Sequence, residues 1–235
     1  MTHPSAELPF WARPGMRKAV GDALRPGGLA LTQRGLALAQ VPPGCRVLDA
    51  GCGPGATLDF LAGQGLRSFG LDLAPVRPPF PGASSSLVAR IAGDIADLPF
   101  RTASFGAVFC ECVLSLLPDP GRAMREMVRV LVPGGSLVIS DLLRTDGAPR
   151  ERNLESCAAG AFSFSEMLGM FQANGLYPRA VENHTKLLKE LAATLLFLGE
   201  LGGELDACPT CATGYFLLVA RKPGDDPCST TPASA

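Results

Sequence analysis

Residues 47–55 read VLDAGCGPG, an apolar run that passes directly into Gly51, Gly53 and Gly55. Glycine takes positive φ freely and carries no Cβ, so a turn of this kind lets a ligand approach bare backbone. A nucleoside fits against such a turn. The residues before it, Cys45 to Ala50, predict a short strand, and Ala56 to Ala62 after it predict a helix. A second strand is predicted over Arg67 to Leu73, and Asp72 near its end stands about twenty residues beyond the glycines, where a carboxylate can accept from both ribose hydroxyls.

Further out, apolar runs predict strands over Leu87–Ala92, Phe105–Cys112, Ser136–Asp141, Tyr177–His184 and Tyr215–Arg221. Helices are predicted between them over Gly121–Leu131, from Ser163 to Ala173, and over Thr185–Leu201. Ser163 and Glu166 have capping-box spacing, and Asn174 with Gly175 stops that helix. Alternation of strand and helix favours a parallel sheet covered on both faces. Pro75, Pro78, Pro79 and Pro81 occupy the place of a crossover helix, which is therefore expected to be short or missing. Before residue 45 a helical lead-in is expected, capped by Thr32, running to Gln40 and stopped by Pro42, Pro43 and Gly44.

These signals divide the chain into a lead-in (1–44), one domain (45–222) and a tail (223–235) whose Pro, Ser, Thr and Asp content predicts disorder. The 235 residues are 47% hydrophobic and 18% charged with a net charge of -1, a balance without the positive excess that nucleic acid attracts. Met1 to Val20 lacks the apolar core of a secretion signal, and the longest apolar stretch, Leu187 to Leu201, is broken by Lys189, Glu190 and Glu200. A cytoplasmic protein with no membrane span is expected. In that compartment the eight cysteines are read as reduced thiols rather than a disulfide framework.

Two further segments complete a pattern. Asp94 ends the third strand within GDIADLPF, where a carboxylate can accept from an adenine amino group, and RVLVPGGSLVIS (129–140) supplies a helix, a Pro-Gly-Gly turn and a strand. Taken in order from Val47 to about Leu143, these segments resemble class I S-adenosylmethionine-dependent methyltransferases of the small-molecule type. The resemblance implies a Rossmann-like, doubly wound, mostly parallel seven-stranded sheet whose last strand is antiparallel. It implies that Asp49, Gly51, Gly53 and Gly55, with Cys52 in the same turn, hold the methionine portion of the donor S-adenosyl-L-methionine. Asp72 and Leu73 would hold the ribose, Asp94 and Ile95 the adenine, and Glu111, Cys112 and Val113 would line the methyl-transfer side. Departures are Gly106, where the family usually has Asp, and the proline-rich stretch after Asp72. A dinucleotide oxidoreductase is the runner-up, since Gly51, Gly53 and Ala56 also satisfy the looser G-x-G-x-x-A form, although no second nucleotide half follows.

For the acceptor, ESCAAGAFSFSEMLGMFQANGL (155–176) resembles the Cys-x-x-Gly-Ala segment of arsenite methyltransferases. The resemblance implies a metalloid-binding thiol at Cys157, with Cys208 and Cys211 in ACPTC as partners and Cys52 as a possible contributor. Soft thiolates suit such a centre. Other readings stand beside this one. Cys208 and Cys211 can form a redox pair or a turn, one Cys-x-x-Cys being too few ligands for a closed zinc site, so no bound metal is expected. Cys45 and Cys110 read as small apolar fillers, Cys228 as incidental and His184 as a packed or surface histidine. Glu111 is expected to face away from both Cys110 and Cys112, as a base for a carbon or oxygen acid or as a structural hydrogen-bonding group. A small organic acceptor of quinone or natural-product type is the alternative to a metalloid, and a non-catalytic donor-binding module the alternative from another class. Oligomeric state is not legible.

Overall fold

Strand β1 (Arg46–Ala50) pairs in parallel with β2 (Arg67–Asp72) on one side and β4 (Phe105–Glu111) on the other. The structure is a computed structural model that describes residues 14–73, 88–145, 160–199 and 213–224. Outward from this centre, β2 pairs in parallel with β3 (Val88–Ala92) and β4 with β5 (Leu131–Arg144). The last strand, β7 (Thr213–Arg221), runs antiparallel between β5 and β6 (Tyr177–Asn183). The sheet order is β3-β2-β1-β4-β5-β7-β6, the expected seven strands with an antiparallel last one. Because the chain winds outward from β1 to β3 and then restarts at β4, the strand order reverses between β1 and β4. A crevice opens at such a switch point, beyond the carboxyl ends of the strands.

Both faces of the sheet are covered, and successive residues of β1 show why. Leu48 belongs to a cluster with Met124 and Met127 of α4 (Pro120–Val130) and Phe171 of α5 (Phe164–Ala173). Val47 belongs to the opposite cluster, with Leu31 of α2 (Gly28–Ala39), Leu61 of α3 (Ala56–Gly63) and Leu187 of α6 (Thr185–Phe197). Leu187 is partly buried, and each fully buried side chain among the others contributes about 1.5–3 kcal/mol. A further short helix, α1 (Pro14–Val20), meets α6 through Met16, Leu191 and Leu195.

Several boundaries differ from expectation for identifiable reasons. Helix α2 begins at Gly28 rather than after Thr32, whose hydroxyl is buried and bonded to Arg25 and Glu111 rather than to its own backbone. Gln40 ends that helix in left-handed geometry, donating its N–H to Leu36 O. Strand β5 starts five residues before Ser136, because the Pro133-Gly134-Gly135 turn is absorbed as an irregularity between the Phe105/Leu131 and Ala107/Ser136 pairs. Gly134, at φ 72°, sits in that irregularity and donates to Lys222 O and Pro223 O. The capping box is present, Ser163 and Glu166 bonding each other's backbone N–H. Helix α6 ends at Phe197 rather than Leu201. The proline-rich stretch and the tail from residue 225 lie outside the described residues. Among the described residues no helix is long and apolar enough to cross a membrane.

Candidate functional site

The glycine turn stands at the switch point with three different surroundings. Gly51 (φ 88°) donates to Leu71 O at 2.8 Å and lies so close to Val113 that an added Cβ would stand 2.4 Å from its Cγ2. Gly55 (φ 98°) lies beneath the Arg90 guanidinium, 2.1 Å from where its Cβ would be, and Arg90 Nη1 donates to Pro54 O at 2.8 Å. Gly53 differs: nothing lies within 4 Å of its Cβ position, and its N–H donates to Asp72 Oδ2 at 2.9 Å. The turn is thus clamped at both ends and open at its middle, with the β2 carboxylate drawn onto it.

Asp49, on β1 beneath this turn, is 3% exposed, and its Oδ2 is buried without a hydrogen-bond partner. Burial pushes its carboxyl up to about 8, Glu111 adds to the rise and Arg25 opposes it. A carboxylate kept dry and unpaired is costly and is relieved by a cation or a strong donor. On the far side of Asp72, Leu73 is 72% exposed, whereas Ile95 is buried in the main core. Asp94 is exposed and accepts from Ala96 N at 2.8 Å through Oδ1.

Glu111 ends β4 inside a buried polar cluster that no sequence spacing announces. Arg25 Nη2 meets its Oε2 at 2.7 Å, with side chains only 6% and 2% exposed. Thr32 and Thr57 complete the cluster. Each accepts from Arg25 Nη2, and each donates to Glu111 at 3.2 Å. Arg25 and Thr57 were not singled out from the sequence, and Thr32 was read only as a helix cap, since the three come from the segment before α2, from α3 and from α2. Glu111 does face away from Cys110, which lies in the opposite core cluster. Cys112, however, does not alternate with Glu111 as expected. Its φ of 56° turns the chain out of the strand, so its Sγ stands 3.0 Å from Tyr215 Oη and it packs against the cluster that contains Tyr215. Tyr215 is fully buried and bonds Ser140 Oγ at 3.2 Å.

The remaining sulfur and imidazole groups separate cleanly. Cys52 is buried under the turn against Gly70, and burial pushes its thiol up to about 12. Cys110 is buried and its thiol is likewise raised, in keeping with an apolar filler. Cys45 is buried but disulfide-bonded rather than a free filler. His184 is half-buried and bonds Glu182 through Nε2 at 3.0 Å, remote in the fold from the glycine turn's partners. Cys157, Cys208, Cys211 and Cys228 lie outside the described residues. Among the described residues no group of three or more His, Cys, Asp or Glu is placed to hold a metal ion.

Residues 48–139, which hold the glycine turn and strands β1 to β4, match the family described as "Methyltransferase domain". Two curated relatives narrow the comparison. The ubiquinone biosynthesis O-methyltransferase of Xanthomonas oryzae pv. oryzae is 37% identical over 144 residues, covering 59% of this chain and 58% of that protein. The arsenite methyltransferase of Halobacterium salinarum is 31% identical over 153 residues, covering 59% of this chain and 39% of that protein. The chain therefore spans less than two thirds of either relative. Haemonchus contortus phosphoethanolamine N-methyltransferase 2, solved in complex with S-adenosyl-L-methionine, shares the fold at a TM-score of 0.71 and 20% identity, over 89% of this chain and 56% of that one.

Proposed function

We propose that the protein transfers the methyl group of S-adenosylmethionine to a small organic acceptor bearing a hydroxyl, of the hydroxylated aromatic or quinone type. The observation that carries the donor half is the unpartnered Asp49 carboxylate beneath a glycine turn open at Gly53. That arrangement suits a cationic ligand with a ribose: Asp49 meets its positive end, the open face of Gly53 admits its chain, and Asp72 accepts from the sugar hydroxyls. The bound donor supplies an electrophilic methyl group on a sulfonium. The chain's own task is then to orient an oxygen towards that methyl and to exclude water, and positioning of this kind supplies about 7–11 kcal/mol of barrier reduction.

A hydroxyl acceptor must also lose its proton. Glu111 and Cys112, at the end of β4, belong to the expected methyl-transfer side, and Tyr215 Oη stands 3.0 Å from Cys112 Sγ. The organic acceptor is favoured by the O-methyltransferase relative, which is more similar and more fully covered than the arsenite methyltransferase. Calorimetry with S-adenosylmethionine and with NAD tests the donor: binding of the first alone is expected, and Asp72→Ala is expected to abolish it. Incubation of donor-competent protein with a panel of catechols and hydroquinols should yield methyl ethers by mass spectrometry, and no methylated product from any of them would remove the organic acceptor.

A second reading is a thiol-bound metalloid such as arsenite, favoured by the Cys157-Ala-Ala-Gly160-Ala161 segment together with the arsenite methyltransferase relative. Cys208 and Cys211 would share the metalloid, with its lone pair as nucleophile. Methylated arsenic formed from arsenite, thiol reductant and donor, and lost in Cys157→Ser, is the result this reading requires.

A further inference from the structure

Cys45, at the amino end of β1, is disulfide-bonded, and the free thiols among the described residues are Cys52, Cys110 and Cys112. Its partner is therefore Cys157, Cys208, Cys211 or Cys228. Sheet register decides among them. Val47, Ala107, Ser136 and Arg221 pair in one row across β1, β4, β5 and β7. Cys45 stands two residues below that row, about 7 Å. Thr213 stands at the opposite, carboxyl end of the sheet, about 27 Å above the row along β7. Cys208 and Cys211 precede Thr213 by five and two residues. Cys157 precedes Phe162 by five, and Phe162 bridges Leu143, about 23 Å above the row along β5. Five extended residues and a disulfide together reach at most about 25 Å, so all three cysteines fall short of Cys45.

Cys228 comes from the other end. Strand β7 delivers the chain to the amino edge, where Lys222 N–H donates to Gly135 O, Gly134 N–H donates to Pro223 O and Gly224 lies against Pro133. Close neighbours lead back from there to the sulfur. A Cβ on Gly135 would stand 3.1 Å from Gly106 O, and one on Gly106 would stand 3.5 Å from Cys45 Sγ. Gly106 occupies the position where the family resemblance implies Asp, so no side chain from that position covers the sulfur. One cavity is lined by Cys45, Gly106, Gly134 and Arg221 together. Cys228 follows Gly224 by four residues, a reach of about 14 Å before the disulfide itself is counted.

We infer that Cys228 is the partner of Cys45, and that their bond straps the segment after β7 across the amino end of the sheet, at the opposite end from the glycine turn, as a redox-set clamp. The pairing leaves Cys157, Cys208 and Cys211 uncommitted to Cys45. The clamp closes by thiol–disulfide exchange with a low-molecular-weight disulfide such as glutathione disulfide. One cysteine thiolate attacks the oxidant, forming a mixed disulfide and releasing one thiol; the second cysteine attacks the mixed disulfide, forming the Cys45–Cys228 bond and releasing the other. Two electrons pass from the protein to the oxidant, and the two protons lost by the cysteines go to the released thiolates. A reducing thiol pool runs the exchange backwards and opens the strap.

The test begins with a peptide map of the full chain held in glutathione disulfide, alkylated with iodoacetamide in denaturant and cut with trypsin without reduction. Gly35–Arg46 is expected in covalent linkage with Lys222–Ala235, the Lys222–Pro223 bond remaining uncut. Cys45 alkylated, or linked to any other cysteine, overturns the inference. Thermal melts read the clamp itself. Dithiothreitol is expected to lower the wild-type Tm by about 4–16 °C, the range for a disulfide in a domain of this size. Cys228→Ser is expected to melt like the reduced wild type with or without dithiothreitol, whereas Cys157→Ser keeps the full shift. A wild-type melt that ignores the reductant, a Cys228→Ser protein that still responds to it, or a Cys157→Ser protein that does not, overturns the inference. Should Cys228→Ser fail to fold by circular dichroism, the wild-type map and melt decide alone.

Discussion

Asp49 is the residue whose environment departs furthest from solution among the groups facing the glycine turn, and its protonation gives the site a pH signature. In the folded chain it holds its proton up to about 8. In the unfolded chain it releases that proton near its ordinary value of about 3.9. The folded state therefore binds more protons between those limits, and this group makes the donor-free protein less stable as pH rises through the window. Asp49→Asn is expected to flatten that fall in chemical denaturation curves measured from pH 5 to 9. A ligand ammonium that takes up the carboxylate favours its ionised form, so donor binding at pH 7 is expected to release close to one proton. Calorimetry in buffers of different ionisation enthalpy reads this directly, and Asp49→Asn should abolish the release.

At the scale of elements, the strand-turn-helix unit separates glycines that serve the fold from a glycine that serves the ligand. Gly51 combines positive φ with the 2.4 Å approach of Val113, so Gly51→Ala is expected to cost about 2–5 kcal/mol of stability and donor binding with it. Gly53 has positive φ but open space at its Cβ position. Gly53→Ala is therefore expected to cost only about 1–2 kcal/mol in thermal melts while weakening the donor at least as much as its neighbour does. Helix α5 offers a control away from the site. Its Ser163 side chain accepts from Glu166 N at 3.2 Å, so Ser163→Ala should cost about 1 kcal/mol and leave donor affinity unchanged.

At the scale of the whole molecule, α2 joins the lead-in to the sheet and to the site. Gly35 lets the helix approach β5 so closely that an added Cβ would stand 2.7 Å from Val138 Cγ1, a fully buried and stiff side chain. Three residues earlier, Thr32 bonds Arg25 and Glu111. Gly35→Leu is expected to lift α2 from the sheet, costing about 1–3 kcal/mol and weakening the donor in the same variant. Stability lost with donor affinity intact, in melts and titrations of one preparation, would show that α2 does not support the site.

What the sequence determined by itself was local. The strands, the glycine turn and the acids near the ends of β1, β2 and β3 follow from periodicity, glycine spacing and short-range turn chemistry, which act within a few residues, whereas the seven-stranded sheet with its antiparallel last strand was implied by a family resemblance. The start of α2 was misplaced because Thr32 has the chemistry of a cap but spends its hydroxyl on partners distant in the chain. The turn before β5 became a strand irregularity because the pairing partner, not the Pro-Gly-Gly motif, decides where a ladder ends. Only the tertiary structure decided that Arg25, Thr32, Thr57 and Glu111 meet, and that Cys112 shares Glu111's side of the sheet. Buried charges are paired through space, and a single backbone angle at φ 56° reverses the side a residue faces. Neither leaves a period in the chain that a reader of residues alone can follow.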